Sequence, residues 1–154
     1  MDPTNRTFVC SVLFLDIVEY SRRSVAEQML LKQRFNALLG KALERIAVDD
    51  RIVLDTGDGA AISFLGNPED TLFVSTSLRD AIAGDQPGDP AHLSLRLGIN
   101  LGPVRLIKDL NGQPNIIGDG INVAQRVMSF AKPGQILVSR SYYCLLYTSP
   151  SPRD

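Results

Sequence analysis

The sequence predicts an α+β fold, a ferredoxin-like, antiparallel-rich sheet with helices packed on one face. Three observations carry this: short β-prone runs arranged as hairpin pairs, helical stretches that separate the pairs, and strictly alternating leucines around residue 95. A chain of 154 residues is sized for one domain with one core.

From Thr7 to Leu15 the chain is rich in Phe, Val and Leu and closes on Asp16, which predicts a buried strand with a carboxylate at its exit. Cys10 belongs to the buried part of that strand. Ser24 and Glu27 have the spacing of a capping box. They open a long helix in which Leu31, Phe35, Leu38, Ala42 and Ile46 form one apolar stripe. Arg51 to Leu54 and Ala60 to Leu65 flank Gly57-Asp58-Gly59, and Asp-Gly between two such runs signals a hairpin with Asp58 at its tip. Asn67-Pro68-Glu69-Asp70 offers an N-cap, a proline at the first helical position and acids in the first turn, so a second helix runs to about Ala83. Gly84 to Pro90 is a loop. Leu93, Leu95, Leu97 and Ile99 then alternate with Ser94, Arg96 and Gly98, placing one strand face in the core. His92, the only histidine, falls at the solvated edge of that strand. Gly102-Pro103 turns the chain into a further strand, Val104 to Lys108, and Leu110-Asn111-Gly112-Gln113 is a polar turn. A third helix spans about Ile121 to Ala131, is stopped by Pro133-Gly134, and leads to a strand from Gln135 to Ser139. The order is βαββαββαβ, without internal repeats.

Composition narrows the function classes. A net charge of -1 with 44% hydrophobic and 21% charged residues argues against disorder and against a nucleic-acid partner. No apolar run approaches the roughly 20 residues of a membrane span, and the N-terminus does not resemble a signal peptide, so the cytoplasm is the expected compartment. Cys10 and Cys144 are the only cysteines, with no CxxC or Cys/His cluster, which argues against a disulfide framework or a zinc site. The tail 144–154 breaks off in a Ser/Pro run. It resembles a reading frame of the transposon-end adapter used in sequencing libraries, so the genuine domain is expected over 1–143 with a last strand or two missing; the alternative is a Ser/Pro-rich linker.

A strand ending in Asp16 and a hairpin tip at Asp58 could bring two carboxylates to one rim of a sheet, an arrangement that suits Mg²⁺. On spacing alone, a helix-capping Asp16 and a turn-forming Asp58 explain the pattern better. The local sequences change that balance. Phe14-Leu15-Asp16-Ile17-Val18-Glu19-Tyr20-Ser21 resembles the first metal motif of class III adenylate and guanylate cyclases, and Thr56-Gly57-Asp58-Gly59 resembles the second. Gly118-Asp119-Gly120-Ile121-Asn122-Val123-Ala124-Gln125-Arg126 resembles that family's third signature. The motifs stand in the family's order, and the resemblance extends from about Thr7 to Tyr143.

The resemblance implies a nucleotidyl cyclase that turns a nucleoside triphosphate into a cyclic mononucleotide and pyrophosphate. Asp16 and Asp58, with the Ile17 carbonyl, would hold two Mg²⁺ or Mn²⁺ ions. Backbone N–H groups of Val18, Glu19, Tyr20 and Ser21 would cradle the terminal phosphates, although Glu19 stands where the family usually has glycine. Asn122 would orient the ribose, and Arg126 would stabilise charge on the reacting phosphate. In this family the metal pair and the Asn/Arg pair come from different subunits, which implies a homodimer with shared sites. Adenylate cyclases read the base with a Lys and an Asp or Thr at the positions held here by Leu54 and Asn115, and the guanylate Glu/Cys pair is absent too. ATP is the first expectation, with a permissive or pyrimidine-accepting pocket as the variant. The competing reading is a catalytically silent nucleotide-binding or dimerisation module. Retention of Asp16, Asp58, Asn122 and Arg126 together favours the enzyme. A diguanylate cyclase shares the two-metal logic, but its GG[DE]EF sequence is absent.

Overall fold

The computed structural model describes residues 6–84, 88 and 92–148. In chain order the elements are β1 (Thr7–Ile17), α1 (Val25–Ala42), β2 (Arg51–Asp55), β3 (Gly59–Phe64), α2 (Glu69–Ile82), β4 (Leu95–Lys108), β5 (Pro114–Ile117), α3 (Asp119–Ser129), β6 (Ile136–Val138) and α4 (Arg140–Thr148). The sheet runs β2-β3-β1-β4-β5 with every neighbour antiparallel, and β6 joins β4 in parallel. This is the α+β, antiparallel-rich architecture expected.

β1 is central because both of its faces are apolar, and a strand of that kind is stable only where both faces are covered. Leu13, Leu15 and Ile17 face a large core built with Leu31, Phe35 and Leu39 of α1, Val74 and Leu78 of α2 and Tyr142 of α4. Cys10, Val12 and Phe14 face a smaller cluster with Ala124 and Met128 of α3. Helices α1, α2 and α4 therefore share the expected face, while α3 covers part of the other. Gly98 makes that second layer possible, since a Cβ there would strike the Met128 backbone nitrogen.

Several elements depart from the sequence pattern. In α1 the capping box of Ser24 and Glu27 is formed, but the stripe runs through Leu39 and Leu43, with Leu38 and Ala42 at its margin. Rows spaced by four are the ones that interdigitate when helices pack at the commonest angle. Helix α2 starts one residue late, with Pro68 as N-cap, and Asn67 Oδ1 accepts the Glu69 N–H at 2.9 Å.

Gly102-Pro103 does not turn the chain, and β4 continues through it as a single 14-residue strand. On the side away from β1, pairing with β6 ends at Ile99 and pairing with β5 begins at Arg105. In that gap a proline without an N–H is tolerated. The real turn is Asp109–Gln113, closed by Asp109 N to Gln113 O at 2.9 Å, and it creates the unforeseen strand β5.

The boundary expected after Tyr143 falls inside α4. Tyr142 is fully buried, its hydroxyl donates to the Pro68 carbonyl at 2.7 Å, and Leu146 packs on the same core. The remainder of the tail, 149–154, and most of the Gly84–Pro90 loop lie outside the described residues. His92 is half-buried rather than at a solvated edge; it lines a cavity of about 390 Å³ between the end of α2 and β4, drawn inward beside the fully buried Leu93. No described helix is long and apolar enough to cross a membrane.

Candidate active site

The pairing of β1 with β3 sets Asp16 opposite Gly59, so Asp58, next to it in the turn, lies beside the end of β1. A Cβ at residue 59 would collide with the Leu15 carbonyl oxygen, which is why the hairpin can close on the strand only with glycine there. The Ile17 N–H donates to the Asp58 carbonyl at 2.8 Å and locks the two segments together. Asp16 is buried and Asp58 exposed, so the rim has one rigid and one accessible carboxylate.

Arg96, opposite Asp16 in the β1–β4 register, grips that carboxylate with Nη2 to Oδ2 at 2.8 Å and Nε to Oδ1 at 3.1 Å. This bidentate geometry is the strong form of a guanidinium–carboxylate pair. The hydrogen bond to Asp16 holds the Arg96 guanidinium above its ordinary pKa, partial burial opposes this, and the charges of Asp16 and then Asp58 add to the rise. Asp16 and, more weakly, Asp58 therefore both lie close enough for their charges to act on the Arg96 guanidinium. The sequence shows Arg96 only as the polar member of an alternating strand; its partner emerges with the register.

Two carboxylates and the Ile17 carbonyl are hard oxygen donors. Mg²⁺ takes that number from a protein when substrate phosphates complete its shell. Among the described residues there is no group of three or more His, Cys, Asp or Glu that would make a closed protein cage. The donor set fits an open divalent site of the Mg²⁺ or Mn²⁺ kind.

The turn after β1 is shaped differently from the expected cradle at its first residue. Val18 N–H already donates to the Ser94 carbonyl at 2.8 Å, so the sheet edge takes that amide. Glu19 has φ 59 and is the one non-glycine residue with positive φ among those described. Its carboxylate lies 3.9 Å from Arg22 Nη1, with both side chains well exposed. Tyr20 and Ser21 begin a short 3-10 turn, and Gln28 Nε2 ties the Tyr20 carbonyl to α1 at 3.0 Å. On α3, Ala124 and Met128 face the sheet, whereas Asn122 and Arg126 are exposed one turn apart. The end of that helix meets the rim through Arg96 Nη1 and the Ser129 carbonyl at 3.5 Å.

A family model described as the adenylate and guanylate cyclase catalytic domain matches residues 3–152. The chain belongs to this cyclase family. A Rhizobium meliloti (strain 1021) protein named "Putative adenylate cyclase 3" is 30% identical over 139 residues, which is 87% of this chain and 22% of that protein. The cyclase domain thus spans about a fifth of that relative. The guanylate cyclase domain of RhGC from Catenaria anguillulae, solved with GTP, superimposes with a TM-score of 0.74 at 22% identity, covering 92% of this chain and 84% of that one. An adenylate/guanylate cyclase/hydrolase from Silicibacter pomeroyi gives 0.73 at 22% identity, with 95% and 83% covered. At these identities the two structures show a shared fold.

Within this cyclase domain the two base-reading candidates sit on the outermost strands of the main sheet order. Leu54 on β2 is half-buried against the smaller cluster, and Asn115 on β5 accepts the Ile116 N–H at 2.7 Å with its own Oδ1. β2 and β5 approach each other beside a cavity of about 490 Å³ lined by Ile52, Val53, Leu106, Gln113 and Pro114 among others, and neither Leu54 nor Asn115 is among its lining residues.

Proposed function

We propose that the domain cyclises a nucleoside triphosphate, ATP in the first place, to the 3′,5′-cyclic monophosphate with release of pyrophosphate. The observation that carries this is the β1–β3 register, which sets Asp16 opposite Gly59 and, with the Ile17 N–H bonded to the Asp58 carbonyl at 2.8 Å, holds the two aspartates at the same end of the sheet. Asp16, Asp58 and the Ile17 carbonyl would hold two Mg²⁺ or Mn²⁺ ions. Such ions, when bound, favour deprotonation of the ribose 3′-hydroxyl and offset charge on the leaving pyrophosphate. In the balanced reaction the 3′-oxygen forms a bond to the α-phosphorus, the α–β bridging P–O bond breaks, and the hydroxyl proton passes to solvent.

The chain's own residues would do the rest. The amides of Glu19, Tyr20 and Ser21 would bind the terminal phosphates, with Val18 shaping the turn through Ser94. Asn122 would orient the ribose, and Arg126 would stabilise negative charge on the reacting phosphate with its fixed fork of donors. Both project from the outer face of α3, away from the sheet, and Phe130 at the end of that helix is 79% exposed. A second copy of the chain would cover this face and complete two equivalent sites. Leu54 and Asn115 would line the base pocket. Incubating the protein with each of the four nucleoside triphosphates and Mn²⁺ or Mg²⁺, with products read by mass spectrometry, should give cyclic AMP as the main cyclic product. A folded dimer that makes no cyclic nucleotide from any of the four would overturn the reading.

A further inference from the structure

On one face of α1, one turn apart, Gln28 and Lys32 each reach out of the helix to a separate loop of the candidate site. Gln28 holds the Tyr20 carbonyl in the turn after β1. Lys32 Nζ donates to Asp55 Oδ1 at 2.9 Å and to the Gly57 carbonyl at 2.8 Å. The same Asp55 oxygen accepts the Gly57 N–H at 2.8 Å, so ammonium and carboxylate together clasp residues 55–57, immediately before Asp58.

The Lys32 side chain is only 20% exposed, and its Nζ lies 5.7 Å from the centroid of the Phe35 ring. An ordinary surface lysine stays in solvent, because fixing a long side chain in one geometry costs entropy that an exposed ion pair hardly offsets. Here one lysine makes two bonds to a turn more than twenty residues away in sequence. The turn benefits from an outside anchor: Gly57, at φ 90, is conformationally soft, and another link from the tip to a neighbouring element is Ile17 N–H to the Asp58 carbonyl.

We propose that Lys32 is a positioning residue for Asp58: it clamps the hairpin tip from α1 and through it sets the affinity of the rim for a divalent cation. The inference rests on the two-metal reading. Gln28 acts on the neighbouring turn from the same helix face, so α1 gauges the spacing between the phosphate-binding turn and the metal-binding hairpin.

The test combines Mn²⁺ binding, read by electron paramagnetic resonance with a non-hydrolysable ATP analogue, and amide hydrogen exchange of residues 55–59 without metal. Lys32→Met should weaken Mn²⁺ binding roughly 10-fold or more, the scale seen when groups that orient metal ligands are lost. Exchange at the hairpin tip should speed up by a similar factor while the amides of β1 stay protected. Lys32→Arg, which keeps the charge and the donors, should restore both to within about 3-fold. Should Lys32→Met fail to fold, Asp55→Asn removes the ion pair but leaves an acceptor for Gly57, and it should move both readouts in the same direction. A folded Lys32→Met or Asp55→Asn with unchanged Mn²⁺ affinity and unchanged exchange overturns the inference alone. If the unaltered chain binds no Mn²⁺ with the analogue, the metal reading falls and the inference with it.

Discussion

Ile17 and Asp58 are joined by a 2.8 Å hydrogen bond from the amide of one to the carbonyl of the other, so the two segments proposed to hold metal share a backbone frame that does not depend on carboxylate charge. Asp58→Asn should therefore abolish turnover and leave the melting temperature nearly unchanged, since the side chain is exposed. Asp16→Asn should be equally inactive but less stable by about 1–2 kcal/mol, because partly buried Arg96 loses the charge on its partner. Purified variants assayed for cyclic product and for thermal unfolding would decide it. Near-full activity in either would remove the metal assignment.

Glu19 places a negative charge and a left-handed backbone, φ 59 and ψ 25, in the turn proposed to receive phosphates. Glu19→Gly should lower KM for the triphosphate by a factor of roughly 5, corresponding to about 1 kcal/mol of repulsion in a solvated site. Stability should change little, because relief of about 1 kcal/mol of left-handed strain is offset by the greater backbone entropy of glycine. Steady-state kinetics beside a denaturant titration separates the two effects, and a higher KM in the glycine variant would refute the cradle assignment.

Burial pushes the Cys10 thiol up from an ordinary value of 9.0 to about 11, opposed by a hydrogen bond with Ser63. A thiol whose folded pKa is raised contributes stability below its unfolded pKa and loses it as pH climbs through the folded value. The chain should accordingly lose stability between about pH 9 and 11, by on the order of 2 kcal/mol from this group. Urea unfolding of the parent and of Cys10→Ala at pH 8 and 10.5 isolates the contribution. Equal pH slopes in the two proteins would contradict it.

Much of the fold was legible because local chemistry and global packing agree. Ser24 with Glu27, Asp58 beside a glycine, and the leucines of β4 each obey a short-range rule that the structure keeps. The misreadings arose where a tertiary neighbour overrode a local signal. Gly102-Pro103 looks like a turn, yet β1 supplies one edge and the gap between β5 and β6 tolerates the proline, so β4 runs on. Position within the apolar stripe of α1 was decided by what the helix packs against, which no periodicity reveals. Of the site, both aspartates were visible as motifs, but Arg96 and Lys32 were not, because each matters through a partner 80 or 23 residues away in sequence.

Asn122 and Arg126 lie on the exposed face of α3, opposite the residues that bind it to the sheet, and this motivates a complementation experiment. Asp58→Asn chains and Arg126→Ala chains should each be inactive alone. Mixed, they should regain activity, because one of the two sites in a heterodimer holds both intact halves. With random pairing half of the dimers are mixed and each has one good site, so roughly a quarter of parental activity is the ceiling. Heterodimers demonstrated by differential tagging, yet without activity, would place the whole site in one chain.

Leu54 packs half-buried against the smaller apolar cluster and offers no polar atom, while the Asn115 oxygen is engaged by the Ile116 amide. If the pocket is only permissive, Leu54→Lys with Asn115→Asp should install an adenine-reading pair and raise the preference for ATP. One or two good hydrogen bonds in a desolvated pocket correspond to about 1–3 kcal/mol, or roughly 5- to 150-fold in relative kcat/KM. If the pocket is instead shaped for another base, a lysine at position 54 enters a half-apolar environment without a partner and turnover should fall with every substrate. Competition assays with paired triphosphates, run on the parent and on the double variant, distinguish these outcomes. A parent that prefers a pyrimidine triphosphate, together with a double variant that loses ATP turnover, would mean that Leu54 and Asn115 specify that other base.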